Sequence, residues 1–200
     1  MKRIFTSFLL LFFLSVSLET KSFAYSLEPE KFIEEIIDEA KLILNSSVSK
    51  KEKAEKLSVI ALQTVDVKGI GYYTLGKKRK EISPDQLEKY EELFQKYFLK
   101  SFTSRLTDYS DPKISVLSAE KVNEKYTIVK TMLLKTDKKP EVKIDWRVYT
   151  KDPNKPLIRD LIVEGLSLAR TQKEEFASIL STNNSDINVL FSKLEEFINK

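Results

Sequence analysis

The spacing of the apolar residues changes at Pro112. Before it they recur every three and four residues; after it they alternate. These two periods bury a single face of a helix and of a strand respectively, so the chain must build helices first and antiparallel strands afterwards. Pro29 stands near the start of a stripe formed by Phe32, Ile33, Ile36, Ile37, Ala40, Ile43 and Leu44. After a short turn at Asn45 to Val48, Ser49-Lys50-Lys51-Glu52 has the form of a capping box, in which Ser and Glu side chains satisfy the free backbone donors of a first turn. It opens a second helix with Ala54, Leu57, Ile60 and Ala61 inward. Ser83-Pro84-Asp85-Gln86 is a second box, followed by Leu87, Tyr90, Phe94, Tyr97, Phe98, Phe102, Leu106 and Tyr109. That helix would run about 37 Å at 1.5 Å per residue, and an aromatic stripe of this width can fill a core or line a cavity.

Beyond Pro112 the pattern predicts four strands near residues 113–120, 125–135, 141–150 and 156–166, joined at Asn123-Glu124, Thr136 to Pro140 and Lys151 to Lys155. The third is the clearest: Val142, Ile144, Trp146 and Val148 face one way, and Lys143, Asp145, Arg147 and Tyr149 the other. Helices around Thr171 to Leu180 and from Ser185 onward close the chain. The expected class is α+β, a four-stranded antiparallel meander packed against one long helix and several shorter N- and C-terminal helices, with an apolar pocket between them.

Lys2 and Arg3 precede an apolar run from Ile4 to Leu18, and Ser22-Phe23-Ala24 ends in a small-x-small site. This is the pattern of a secretory signal peptide, and the run is shorter than the roughly 20 residues a spanning helix needs. Cleavage after Ala24 would leave residues 25–200 as one domain in the periplasm. Losing Lys2, Arg3, Lys21 and Glu19 takes the formal charge from +4 to +2, with both signs interspersed, which argues against a nucleic-acid binder.

The chain contains no Cys and no His. Disulfides, thiol catalysis, Cys- or His-ligated metals and an imidazole base are therefore excluded, and no cofactor is expected. Gly71 to Lys77 has the G-x-x-x-x-G-K spacing of a phosphate-binding loop, but Lys78 stands where Ser or Thr should hold magnesium. Two tyrosines crowd the loop and a helical segment precedes it, so Gly76 is better understood as a helix stop. Lys77-Lys78-Arg79-Lys80 is the densest positive run, placed to contact lipid headgroups, an anionic membrane surface or an acidic partner. Asp66, Asp160 and Glu164 are acids in apolar surroundings that an acid–base enzyme could use.

Two stretches taken together resemble a known family. Val65-Asp66 leading to Tyr73-Thr74-Leu75-Gly76, then Ser83-Pro84-Asp85-Gln86, Phe94 and Phe102 to Tyr109, is similar to the N-terminal half of the MlaC-type, or toluene-tolerance, periplasmic phospholipid-binding proteins. Val163-Glu164-Gly165-Leu166-Ser167-Leu168, followed by Phe176 to Leu180, resembles that family's C-terminal signature. The resemblance implies a carrier that holds acyl chains in an apolar pocket. It would shuttle phospholipids between an outer-membrane lipoprotein complex and an inner-membrane ABC transporter complex with its lipid-binding periplasmic subunit, maintaining outer-membrane lipid asymmetry.

The residues expected to touch lipid come from the periodicity. Val65, Ile70, Tyr73 and Leu75 lead into the turn, and Phe94, Phe98 and Phe102 lie on the long helix. Val142, Ile144, Trp146 and Val148 supply the opposite wall; Leu161, Val163 and Leu166 lie on the fourth strand, and Phe176 and Ile179 on the helix after it. The expected protein is a monomer without catalytic residues, its phospholipid being cargo. Two alternatives stay open at this point: a cone-like α+β enzyme using Asp or Glu with Tyr on a small apolar substrate, and an adaptor whose apolar face binds a partner protein. The export reading predicts a mature chain beginning at Tyr25. Intact mass of periplasmic protein measures this directly, and a retained Met1 would contradict it.

Overall fold

The computed structural model describes residues 25–107, 111–136 and 140–200. The expected signal peptide 1–24, Tyr109 and residues 137–139 of the second strand connection lie outside the described residues. Helix α1 (Pro29–Asn45) has Pro in its first turn and buries Phe32, Ile33, Ile36, Ile37 and Leu44. Helix α2 (Lys50–Thr64) forms half of the expected box, Ser49 Oγ accepting from the Glu52 N–H at 3.2 Å. Helix α4 (Pro84–Leu106) forms the whole box: Gln86 N–H donates to Ser83 Oγ at 3.2 Å and Ser83 N–H to Gln86 Oε1 at 3.0 Å. Its 23 residues reach about 34 Å.

Between α2 and α4 lies a separate nine-residue helix, α3 (Val67–Leu75), where the sequence indicated only a helical approach to a turn. Asp66 makes it independent, accepting the Gly69 N–H at 2.9 Å and so capping the first turn. Gly76 ends it with φ 62°, the left-handed conformation that glycine adopts without a Cβ clash, and a 3-10 turn follows over Gly76–Lys80. Close packing on α4 sets the requirement at Gly71, where an added Cβ would stand 2.8 Å from Phe94 Cδ1.

The strands are β1 (Ile114–Asn123), β2 (Tyr126–Leu133), β3 (Val142–Tyr149), β4 (Leu157–Val163) and β5 (Leu166–Ser167), in that order across one antiparallel sheet. The sheet therefore has five strands rather than the four expected. The fourth run is cut at Glu164 and Gly165, whose φ values of 50° and 82° reverse the chain into a tight hairpin. Strand β4 also carries a bulge. Arg147 pairs with Asp160 but Val148 with Ile158, leaving Arg159 as the extra residue. Helix α5 (Leu168–Thr182) starts three residues before Thr171 because Ser167 caps it, and α6 (Ile187–Asn199) is capped by Asp186 rather than opened at Ser185.

Two cores result. One is helical, with Val67, Ile70, Leu75, Tyr90, Phe94, Phe176, Leu190 and Phe191 among its members from α3, α4, α5 and α6. The other sits between α1, α2 and the sheet and includes Phe32, Ile33, Leu57, Val129, Val148 and Ile158. Val65 packs against both, and it bridges β4 in parallel at Ile158. Among the described residues no helix is long and apolar enough to cross a membrane. Gly71→Ala tests the α3–α4 contact. Alanine favours helix by about 1 kcal/mol, yet overpacking costs about 1–3 kcal/mol, so urea unfolding should show net destabilisation; an unchanged or raised midpoint would contradict this packing.

Candidate functional site

Strand register assembles one apolar sheet face in rows. Val148 aligns with Thr127 and Ile158, Trp146 with Val129 and Leu161, Ile144 with Thr131 and Val163, and Val142 with Leu133. Burial falls along these rows at the apolar positions, while Thr131 in the Ile144 row stays fully buried. Val129 and Val148 are fully buried beneath the helices, whereas Leu133, Val142, Ile144, Leu161 and Val163 are only half-buried. Helix α4 does not close the open end, since it packs on α2, α3 and α6 rather than along the sheet. It presents Phe98 and Phe102, both half-buried and stacked with centroids 5.9 Å apart. Phe98 borders the helical core and Leu106, two turns on from Phe98, borders the sheet core. The C-terminal half of α4 therefore bridges from one core to the other. Partly solvated apolar surface on a sheet and a helix is what an apolar ligand would cover.

The sequence-predicted residues divide into groups. Ile70, Leu75, Phe94 and Phe176 are buried in the helical core, with Ile179 packed on its margin. Val148 is closed into the sheet core and Trp146 is half-buried against it, donating from Nε1 to Thr131 Oγ1 at 3.0 Å. Val142, Ile144, Leu161, Val163, Phe98 and Phe102 keep partly open faces, and Val65 lies at the joint of the cores. Leu166, 58% exposed at the hairpin, and Tyr73, 45% exposed on α3, face solvent. The expected wall thus separates into packed core and a smaller set of half-buried apolar residues.

The polar face of the same sheet is also structured. Arg159 Nε and Nη2 each lie 2.7 Å from Asp66 Oδ2, and its guanidinium stacks 3.6 Å above the Tyr149 ring. Its pKa is raised: partial burial opposes the charge, but hydrogen bonds with Tyr126 and Asp66 outweigh it. Asp160 accepts from Ser167 Oγ at 2.6 Å and from Ala169 N–H at 3.0 Å, with Arg147 Nη1 3.6 Å away. Glu164 accepts from the Lys143 N–H across the hairpin. All three acids singled out in the sequence are thus committed to caps, turns or ion pairs. Burial likewise raises the pKa of Tyr90, whose hydroxyl lies 3.1 Å from the Gly71 carbonyl and 2.9 Å from Thr74 Oγ1. Lys77 to Lys80 occupy the 3-10 turn, with Lys78 paired to Glu81. The sequence reading missed Arg147, Arg159 and Lys173 as a group; two adjacent charges, Arg159-Asp160, inside an apolar strand were the available signal.

A family model described as MlaC protein matches residues 34–196, which takes in the whole sheet and most of both cores. The chain belongs to the MlaC family. A solved structure of the phospholipid-binding protein from Ralstonia solanacearum, in complex with a phospholipid, is similar to this MlaC-family chain with a TM-score of 0.71. Their sequences are 16% identical, and the match covers 84% of this chain and 94% of that one. At that identity the shared property is the fold: a low-identity chain preserves the sheet and its helical cover through patterning rather than through particular side chains.

Core and groove positions on α4 should respond differently to truncation. Phe94→Ala should lose about 3–5 kcal/mol of stability, through lost transfer energy and a residual cavity. Phe102→Ala, at a half-open position, should lose less than about half of that. Equilibrium urea unfolding of the two variants measures the difference, and equal losses would place Phe102 in solid core.

Proposed function

We propose that the protein is a periplasmic phospholipid carrier, with acyl chains held in a half-open groove between the sheet's apolar face and the C-terminal half of α4. The observation that carries this reading is the burial gradient across the sheet, from closed Val129 and Val148 to half-open Val142, Ile144 and Val163. Membership of the MlaC family, and a fold shared with a protein solved with phospholipid, support the same ligand class. Hydrocarbon burial contributes about 0.8 kcal/mol per CH₂, so two chains of about 15 methylenes would cost on the order of 20 kcal/mol to expose to water. A carrier needs only to substitute for the bilayer along that length, and no bond is made or broken.

In this proposal the chain is exported, loses residues 1–24 and works as a monomer between two membrane complexes. One is an outer-membrane lipoprotein complex and the other an inner-membrane ABC transporter with its periplasmic lipid-binding subunit. The transfer maintains outer-membrane lipid asymmetry, and phospholipid is cargo rather than cofactor. The acid–base enzyme alternative finds no support in the geometry, because Asp66, Asp160 and Glu164 are each held by separate structural partners.

Organic extraction and mass spectrometry of the purified protein should recover phospholipid at near-stoichiometric amounts. Ile144→Asp, which puts a charge on the groove floor, should reduce the recovered lipid severalfold while leaving a folded protein by circular dichroism. Lipid-free wild-type protein, or full loading of the Ile144→Asp variant, would contradict the proposal.

A further inference from the structure

On the face of the sheet opposite the apolar groove, α3, α5 and the 3-10 turn enclose an open cleft of about 540 Å³ over β3 and β4. Arg79, Arg147, Arg159 and Lys173 line it, with Asp160 as the only carboxylate among its lining residues. Register shows the separation: Arg147 and Asp160 pair on the side opposite Trp146 and Val148, and the bulge turns Arg159 onto that same side, over Tyr149.

Two of the four cations are already neutralised, Arg159 by Asp66 at 2.7 Å and Arg147 by Asp160 at 3.6 Å. Arg79 and Lys173 have no ion-pair partner among the described residues, and each lies over a tyrosine ring, at 5.6 Å from Tyr72 and 4.7 Å from Tyr73. Cations gathered in one cleft repel each other unless an anion joins them. The groove between α3 and α4, of the same volume, differs in kind: Lys68 and Lys96 face Glu88, Glu91 and Glu92, with Lys68 paired to Glu91 at 2.7 Å.

We propose that the cationic cleft is a binding site for a phosphate-bearing group, separate from the acyl-chain groove. Two unpaired cations match the charge of about −1.5 to −2 that a phosphate monoester carries at neutral pH; a single carboxylate would leave one unpaired. The volume falls in the range of small-molecule sites, about 300–1,000 Å³, larger than a lone carboxylate requires. Guanidinium groups also suit phosphate oxygens by forming paired N–H donors. Tyr126, whose hydroxyl lies 3.3 Å from Arg159 Nη1, retains a proton to donate. The same chemistry is available from a soluble phosphate monoester and from the monoester headgroup of phosphatidic acid at a membrane surface.

The test measures binding of sn-glycerol 3-phosphate and of a polyglutamate peptide by calorimetry, and co-sedimentation with phosphatidic-acid-containing vesicles against pure phosphatidylcholine vesicles. Full-length mature protein is compared with Arg79→Ala/Lys173→Ala and with Lys51→Ala/Lys193→Ala, which removes the same charge outside the cleft. The proposal requires at least one probe to bind and the cleft variant to weaken it about tenfold or more, with the control unchanged. Binding of sn-glycerol 3-phosphate in the calorimeter identifies a soluble ester, and binding to anionic vesicles alone identifies a membrane headgroup. No binding of either probe, equal loss in the control, or binding only of a polyglutamate peptide, the mark of an acidic protein partner, would overturn it. Lipid recovered by extraction should be the same in the cleft variant, so failure here and failure of the carrier reading give different results.

Discussion

Adjacent residues of one strand, Arg159 and Asp160, hold the helical half of the molecule to the sheet. Arg159 binds Asp66, and Asp66 also caps α3 through the Gly69 N–H. Asp160 receives the Ala169 N–H of α5 and the hydroxyl of Ser167, the residue that caps α5. Helices α3 and α5 of the helical core are therefore tied at their N-termini to neighbouring points on β4. The bulge makes this possible, because without it successive residues would point to opposite faces. Asp160 is 5% exposed, and removing one member of such a buried, paired set typically costs about 3–5 kcal/mol.

The remaining architecture follows from that joint. With α3 and α5 fixed to β4, α4 bridges from Tyr90 and Phe94 in one core to Leu106 beside the other. The sheet's apolar face is then covered at the Val148 end by α1 and α2 and left half-open at the Val142 end. Packing of this kind leaves a groove without any residue dedicated to making one. The polar ties occupy the opposite face, which separates the apolar groove from the cationic cleft by the thickness of the sheet.

Much of this was legible in the sequence, for identifiable reasons. Caps at Ser49 and Ser83, Pro29 in a first turn and strict alternation along 142–149 are local signals, and each reappears in the structure. Helix α3 was obscured because two glycines, Gly69 and Gly71, dilute a helix of only nine residues. Strand β5 is two residues long and has no period to detect. Within the candidate site, Phe94, Phe98 and Phe102 share one stripe and are equivalent by spacing. Only tertiary packing separates them: α3 and α5 meet α4 at Phe94, where Gly71 and Phe176 close in. Arg79, Arg147, Arg159 and Lys173 come from different elements, and β4's bulge brings Arg159 onto the right face, so their convergence had no local signature.

The central claim is that acyl chains lie along the half-open end of the apolar sheet face, opposite the C-terminal half of α4. Photo-crosslinking with benzoylphenylalanine tests it most directly, placed at position 163 in the groove and, as control, at position 130 on the other face of the sheet. In lipid-loaded protein, the account predicts a phospholipid adduct by mass spectrometry at position 163 and none at position 130. Adducts of equal yield at both positions, or at position 130 alone, would contradict it.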